Sequence, residues 1–400
     1  MRAFLRFLRS FRQKYDTLVT VVIFRDRILK NLEVLQQNSN GLAIAPVLKS
    51  NAYGHGLVEV ANILDGQNLP FFVADSYHEA RNLRASGIRT PILVIGFTQF
   101  ENLVRNRDKT ISFTITDFEQ LKKFSEALRS PQIFHLKIDT GMSRQGVLPG
   151  ELDSAIALIK KNPNIVLEGV CSHLADSAHE NHEFNDRQIA LWNLSAEKIL
   201  QEFRNLKYYH LPASAGLKDL SKIKSNMGRI GKAIYGLSDV YRGFERSNTG
   251  TLARVSGRGG TSTLVGEGLQ PAMEMRARLT GVKKIKAGDT VSYGMTFKAD
   301  RDMVVGTIPV GYFEGVDRRL SNVGVVQYKD KYCRILGRVS MNITVIDLTE
   351  VSEPKAGDEV VVVSANREDQ NSVENLAKLC GTIALDFVVH IPQHLRRVVR

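Results

Sequence analysis

A chain of 400 residues, 43% apolar and 24% charged, is long enough for two or three ordinary domains and too hydrophobic to stay disordered. No apolar run approaches the ~20 residues of a membrane span. The three cysteines, Cys171, Cys333 and Cys380, are odd in number and far apart. They exclude a disulfide framework or a cysteine metal site and read as buried thiols of a reducing compartment, so a cytoplasmic protein without a metal is expected. The net charge of +12 would suit an anionic partner. The basic residues are scattered, however, without interleaved aromatics or a recognisable motif, so no nucleic-acid partner is expected.

Residues 1–16 form a basic amphipathic leader. Arg2, Arg6, Arg9 and Arg12 fall on one side of a notional helix, with Phe4, Phe7, Leu8 and Phe11 towards the other. A soluble leader helix is the expectation; a segment lying on an anionic membrane or a transit peptide is the alternative. From Thr17 the pattern becomes regular. Thr17–Phe24 is β-rich and Arg25–Gln37 is an amphipathic helix. Short apolar runs then recur at 43–48, 71–74, 91–95, 111–115, 133–138, 166–171, 208–211 and 233–235. Helical stretches follow most of them, among them 121–128, 152–160 and 187–203, and Ser76-Tyr77-His78-Glu79 reads as a capping box. Eight strands alternating with helices over residues 17–240 predict a (β/α)8 TIM-type barrel. No Gly-x-Gly-x-x-Gly follows the first strand, which disfavours a doubly wound sheet. Periodicity is lost over residues 241–270, a Gly- and Arg-rich linker or loop. Residues 271–400 are mostly β in texture, with one helix near 373–379 and a last apolar run at 383–391. The fold class is therefore α/β, an N-terminal barrel followed by a C-terminal mostly β domain.

The stretch Ala43-Ile-Ala-Pro-Val-Leu-Lys-Ser-Asn-Ala-Tyr-Gly-His-Gly56 is the most informative. Its apolar run ends on Lys49. A lysine at a buried strand end has its stem packed and its amine at the rim, where desolvation lowers its pKa as nucleophilic attack on a carbonyl carbon requires. Barrel chemistry sits at the C-terminal ends of strands. Those ends carry Lys49, then Lys137 and Asp139, then Ser172 and His173, then His210 and Ser214, with Arg229 just before the last short run.

Six stretches in this order resemble the signatures of alanine racemases. The first is 47–56. The second is His135-Leu-Lys-Ile-Asp-Thr-Gly-Met-Ser-Arg-Gln-Gly146, and the third is Asn226-Met-Gly-Arg-Ile-Gly-Lys-Ala-Ile-Tyr-Gly236. The fourth and fifth are Val291-Ser-Tyr-Gly-Met-Thr-Phe297 and Gly306-Thr-Ile-Pro-Val-Gly-Tyr-Phe-Glu-Gly315, and the sixth is Gly337-Arg-Val-Ser-Met-Asn342. The resemblance runs from Thr17 to the C-terminus. It implies an isomerase that uses pyridoxal 5'-phosphate to interconvert L- and D-alanine, supplying D-alanine for cell-wall peptidoglycan.

The resemblance also implies roles. Lys49 holds the cofactor and acts on one face of the substrate, while Tyr293 acts on the other. Arg229 faces the pyridine nitrogen, His210 braces Arg229, and His173, a cofactor-binding residue, is with Arg144 the neighbour that lets the Tyr293 phenol act as a phenolate. Tyr53, Ser214 and the backbone of Gly231 and Lys232 hold the phosphate. Arg144 and the backbone of Met341 meet the substrate carboxylate, and Lys137 steadies Arg144 where many family members carry a carbamylated lysine. A homodimer with shared active sites is the implied assembly. Three positions depart from the family pattern: Ala213 for an asparagine, Asn342 for an aspartate, and Leu385 for a tyrosine lining the entrance. They leave open a racemase of broader specificity, accepting serine or larger side chains. A non-catalytic pyridoxal-phosphate-binding protein is the remaining alternative, although such a protein has no need of Tyr293.

Overall fold

The computed structural model describes residues 16–176, 182–237, 244–246, 252–254 and 268–400. The leader, apart from Asp16, and most of the linker at 241–270 lie outside the described residues. Eight parallel strands follow one another around a ring. They are β2 (Ala43–Pro46), β3 (Phe72–Ala74), β4 (Ile92–Val94), β5 (Ile111–Ile115), β6 (Gln132–Lys137), β7 (Ile165–Cys171), β8 (Tyr208–His210) and β9 (Met227–Ile230). Strands β3 to β8 form one continuous parallel sheet in chain order. β9 pairs in parallel with β2, and a Val47–Val73 bridge joins β2 to β3. Asn226 and Arg229 donate their N–H groups to the carbonyls of Tyr209 and Pro212, 3.0 Å each, which links β9 to the β8 segment. The eighth strand is thus Met227–Ile230, not the 233–235 run. A buried arginine in Met-Gly-Arg-Ile hides the strand from an apolar search. Ala233–Tyr235 instead lies in turns that end at Gly236, whose φ is +69°.

Helices cover the outside of the ring. Ser76 caps its helix by accepting the N–H of Glu79 at 3.2 Å. The return half of a capping box is replaced by a more useful contact. Glu79 accepts the N–H of Asp75 at 2.8 Å and of Ser50 at 2.7 Å, tying this helix to the segment after β2. One side of the ring interior is apolar, with Ala45, Val47, Phe71, Val73, Leu93 and Met227 in one cluster. Elsewhere β5 to β8 bury Ser112, Thr114, His135 and His210.

The second unit is a nine-stranded sheet. In spatial order it contains Gly281–Ile285, Met303–Ile308, Thr344–Asp347, Lys331–Leu336, Val325–Tyr328, Glu359–Val363, Met273–Arg278, β1 (Val19–Ile23) and Arg397–Val399. β1, read from sequence as the start of the barrel, is therefore part of the C-terminal sheet. It runs antiparallel to Met273–Arg278 and parallel to Arg397–Val399. The 383–391 run contains a helix, Ala384–Val389, not a strand. Ala384, Phe387, Val388 and Ile391 are buried at spacings of three and four, the period of a helix face. Among the described residues, no helix is long and apolar enough to cross a membrane.

Candidate active site

The site begins with the turn after β2. Ser50, Asn51, Ala52 and Tyr53 all have left-handed φ, between 51° and 56°. Such a conformation costs a non-glycine residue roughly 1–2 kcal/mol and persists only where its surroundings fix it. Here Glu79 accepts the N–H of Ser50, and Asn51 Oδ1 accepts that of Leu57 at 2.9 Å. Gly54 follows at φ +82°, packed so closely on the helix Ala384–Val389 that a Cβ would lie 2.1 Å from the Val388 carbonyl. Arg397 donates to the Gly54 carbonyl at 2.7 and 3.1 Å. The turn thereby directs both Lys49 and Tyr53 into one cavity.

That cavity has a volume of about 290 Å³ at the C-terminal mouth of the barrel. It brings together Lys49, Tyr53, Lys137, Arg144, His173, Ser214, Arg229, Gly231 and Lys232. The Lys49 amine is at the rim with Asp75 3.7 Å away, and the side chain is 35% exposed, so it is less desolvated than its strand-end place predicts. Burial, with Asp75 adding to it, pushes the Tyr53 phenol up to about 12, which keeps it a hydrogen-bond donor. Its hydroxyl lies over Gly231, where a Cβ would come within 2.5 Å. Only glycine allows that approach. Ser214 Oγ accepts the N–H of Gly231 at 3.2 Å and faces that of Ala233 at 3.5 Å. Phenol, hydroxyl and backbone N–H groups thus converge beside Lys232, whose amine burial pulls down to about 8. Donors grouped in this way suit an anion.

Across the cavity, Arg229 is buried with both terminal nitrogens engaged. Nη1 donates to the His210 carbonyl at 2.8 Å and to His210 Nδ1; Nη2 donates to the Ser172 carbonyl at 2.6 Å and lies 3.3 Å from both His173 Nδ1 and the Leu211 carbonyl. Burial and the facing cations Arg229 and Arg144 push His173 down to about 3, so its imidazole is neutral. Burial also lowers the pKa of Lys137, whose amine donates to Gln145 Oε1 at 3.1 Å. His210 does not line the cavity; it stands behind Arg229. Sequence reasoning missed Thr114 and Cys171, which line the same cavity from β5 and β7. A period-two reading of β5 and β7 towards the ring interior was the signal available for them.

Tyr293 and Met341 are not brought to this cavity. They are 71% and 54% exposed on the C-terminal unit. Tyr293 sits in a strained loop in which Ser292, Gly294 and Met295 all have positive φ. Met341 lies in the turn between Lys331–Leu336 and Thr344–Asp347. Around them Met295, Tyr312, Phe313 and Ile343 are also exposed, an uncommon amount of apolar surface.

The alanine racemase N-terminal domain matches residues 23–239, and the alanine racemase C-terminal domain matches residues 272–399. The chain belongs to the alanine racemase family. An alanine racemase of Carboxydothermus hydrogenoformans is 31% identical, over 93% of this chain and 97% of that protein. Alanine racemase 1 of Clostridium acetobutylicum is 29% identical, over 93% of both. Among solved structures, the alanine racemase of Streptomyces lavendulae superposes with a TM-score of 0.82 at 26% identity, covering 97% of this chain and 98% of that one. That of Bacillus anthracis, with bound L-Ala-P, gives 0.84 at 25%, covering 97% and 96%. Against this family pattern, Ala213 and Leu385 both line the cavity. Asn342 donates to Glu314 Oε1 at 2.7 Å, and the other oxygen of Glu314 accepts the Gly311 N–H at 2.8 Å.

Proposed function

We propose that this chain is an isomerase that racemises alanine with pyridoxal 5'-phosphate held at Lys49, by a two-base mechanism. The observation that carries the reading is the cavity itself. A strand-end lysine faces a phosphate cradle of Tyr53, Ser214, Gly231 and Lys232, and an arginine without a proton to yield stands opposite. When bound, the cofactor supplies the electron sink that makes the Cα–H of an amino acid acidic. The protein does the rest. The Lys49 amine moves the proton on one face, and the Tyr293 phenol moves it on the other. Arg229 presents donors only, so it holds the ring nitrogen without protonating it, and His210 and His173 flank it. Arg144 and the Met341 backbone take the substrate carboxylate, with Lys137, carbamylated or not, beside Arg144.

Tyr293 is exposed on the C-terminal unit, and a second copy of the chain would deliver it to the Lys49 cavity while covering the apolar surface around it. The working unit is accordingly a homodimer with shared sites, in the cytoplasm, supplying D-alanine for peptidoglycan. Leu385 at the cavity wall favours one variant of this reading, a racemase that also accepts serine. Chiral analysis after incubating the purified protein with separate L-amino acids tests both. No D-alanine from L-alanine would remove the reading. D-serine formed faster than D-alanine would replace it with the broader one.

A further inference from the structure

The turn that carries Met341 is built against a second turn of the C-terminal unit. Met303–Ile308 and Thr344–Asp347 pair antiparallel, ending with Ile308 opposite Thr344. The chain leaving Ile308 and the chain entering Thr344 therefore run on side by side. The Thr344 hydroxyl donates to the Val310 carbonyl at 2.7 Å. Further out, Tyr312 donates its N–H to the Ser340 carbonyl at 3.1 Å, and Phe313 donates its own to the Met341 carbonyl at 3.0 Å. Gly311 is the point of closest approach. A Cβ there would lie 2.1 Å from the Ser340 oxygen and 2.4 Å from that of Met341, so the two turns meet only because residue 311 has no side chain.

One buried acid joins them. Glu314 ends the short turn Tyr312–Glu314 and is 7% exposed, although its neighbours Tyr312, Phe313, Met341 and Ile343 are all exposed. Its two oxygens serve the two turns. Oε2 reaches back to the Gly311 N–H at 2.8 Å, as the acid of a capping box does. Oε1 accepts from Asn342 Nδ2 at 2.7 Å, in the residue next to Met341.

The chemistry of this contact accounts for a departure from the family pattern. A carboxylate offers acceptors only, and an amide at 342 supplies the donor that the acid at 314 needs. An aspartate at 342 would instead set two carboxylate oxygens about that 2.7 Å apart. Like charges so close cannot both stay ionised unless the turns part. Asn342 is thus one half of a matched pair whose other half is Glu314.

We infer that Glu314 and Asn342 are positioning residues for the Met341 backbone: their acid–amide pair ties the Met341 turn to the Gly311–Gly315 turn and so sets where that backbone meets the substrate carboxylate. The consequence for the substrate rests on the role proposed above for Met341; the coupling of the two turns does not.

Exchanging the two side-chain chemistries in the purified holoenzyme tests the pair. Asn342→Asp sets two acids face to face. Glu314→Gln leaves one carbonyl oxygen for two N–H donors. In the double variant Glu314→Gln/Asn342→Asp the new glutamine accepts the Gly311 N–H and donates to the new aspartate, so both bonds return with the charge moved across. The readouts are KM and kcat for alanine, calorimetric binding of propionate (alanine without its amine), and denaturant midpoints. Each single variant should raise KM and weaken propionate binding about 10-fold or more, the effect of losing one hydrogen bond to a charged group. Since binding and not the chemical step is disturbed, kcat should change little. The double variant should return to within about 3-fold of wild type, because the two residues act as one unit. A double variant no better than the worse single one overturns the inference. So does Asn342→Ala, a change at an exposed position, if KM, propionate binding and midpoint all keep their wild-type values. Midpoints that fall in the single variants and recover in the double, with KM and propionate binding unmoved, would instead overturn the placing of Met341 against the carboxylate.

Discussion

Replacing Gly231 by alanine tests the phosphate cradle at its tightest point. The added Cβ would sit 2.5 Å from the Tyr53 hydroxyl and 3.0 Å from its Cζ. Ordinary contact between such atoms begins near 3.5 Å, so the phenol must move by about 1 Å. The Tyr53 ring has little room, because it packs on the buried ring of Tyr235 with centroids 5.2 Å apart. The backbone at Gly231 is not left-handed, so alanine adds no strain of its own there. The loss is then one hydrogen bond to a charged partner, about 1.5–3 kcal/mol, or roughly 10–150-fold in cofactor affinity. Titrating the cofactor-free protein with pyridoxal 5'-phosphate and following the visible absorbance measures it. Tyr53→Phe should cost a similar amount, and the double variant little more than either single one. Wild-type affinity in Gly231→Ala, or fully additive losses in the double variant, would refute the assignment of Tyr53 and Gly231 to one phosphate site.

Borohydride reduction of the holoenzyme followed by peptide mapping should place the label on Lys49, and a label on Lys232, which lines the same cavity, would reverse their roles. Mixing inactive Lys49→Ala and Tyr293→Phe proteins should restore activity, since one site of the mixed dimer keeps both bases; no recovery after confirmed subunit exchange would mean that each site is built within one chain. Burial holds His173 at about 3 and His55 at about 4, below the ordinary histidine value of 6.5. The unfolded chain therefore takes up their protons first, and the folded state loses stability as the pH falls from 6.5 towards 3. Denaturant midpoints across that range should decline less steeply in His55→Phe, and parallel curves would argue against His55 as a source. Leu385→Tyr should raise the ratio of alanine to serine turnover efficiency, with pocket changes of this size moving selectivity by about 1–3 kcal/mol; an unchanged ratio would remove Leu385 as a selectivity residue.

The parts of the site legible in the sequence were those with a local signature. Lys49 stands out because an apolar run stops on it and glycines follow. The alternation of strands and helices led to the barrel because each β/α unit is short and repeats. Arg229 was harder, since its strand has a charge in the middle and its satisfaction by Ser172, His210 and Leu211 is visible only in three dimensions. Glu314 gave no signal of its partner. Asn342 lies 28 residues further along the chain, and only the pairing of Met303–Ile308 with Thr344–Asp347 brings the two together. Thr17–Phe24 was read correctly as β but given to the wrong sheet, because its partners lie some 250 and 375 residues further along the chain. The helix at 384–389 was obscured by apolar residues on both sides of its face. The place of Tyr293 in the chemistry came from resemblance alone; nothing in its local pattern marks it.

The pairing of β1 also fixes an order of events during synthesis. Residues 43–230 can close their ring from neighbouring strands, each formed soon after the last, which favours early folding. β1 leaves the ribosome before any of them, yet one of its edges is covered only by Arg397–Val399. Until then it is an open sheet edge, the kind of surface on which chains aggregate. The same last residues carry Arg397, whose guanidinium clamps the Gly54 carbonyl at the end of the turn that begins with Lys49. Completion of the sheet and locking of the turn therefore coincide, and both wait for synthesis of Arg397–Val399. A molecule that lacks Arg397–Val399 would hold a closed barrel with an unclamped lysine turn.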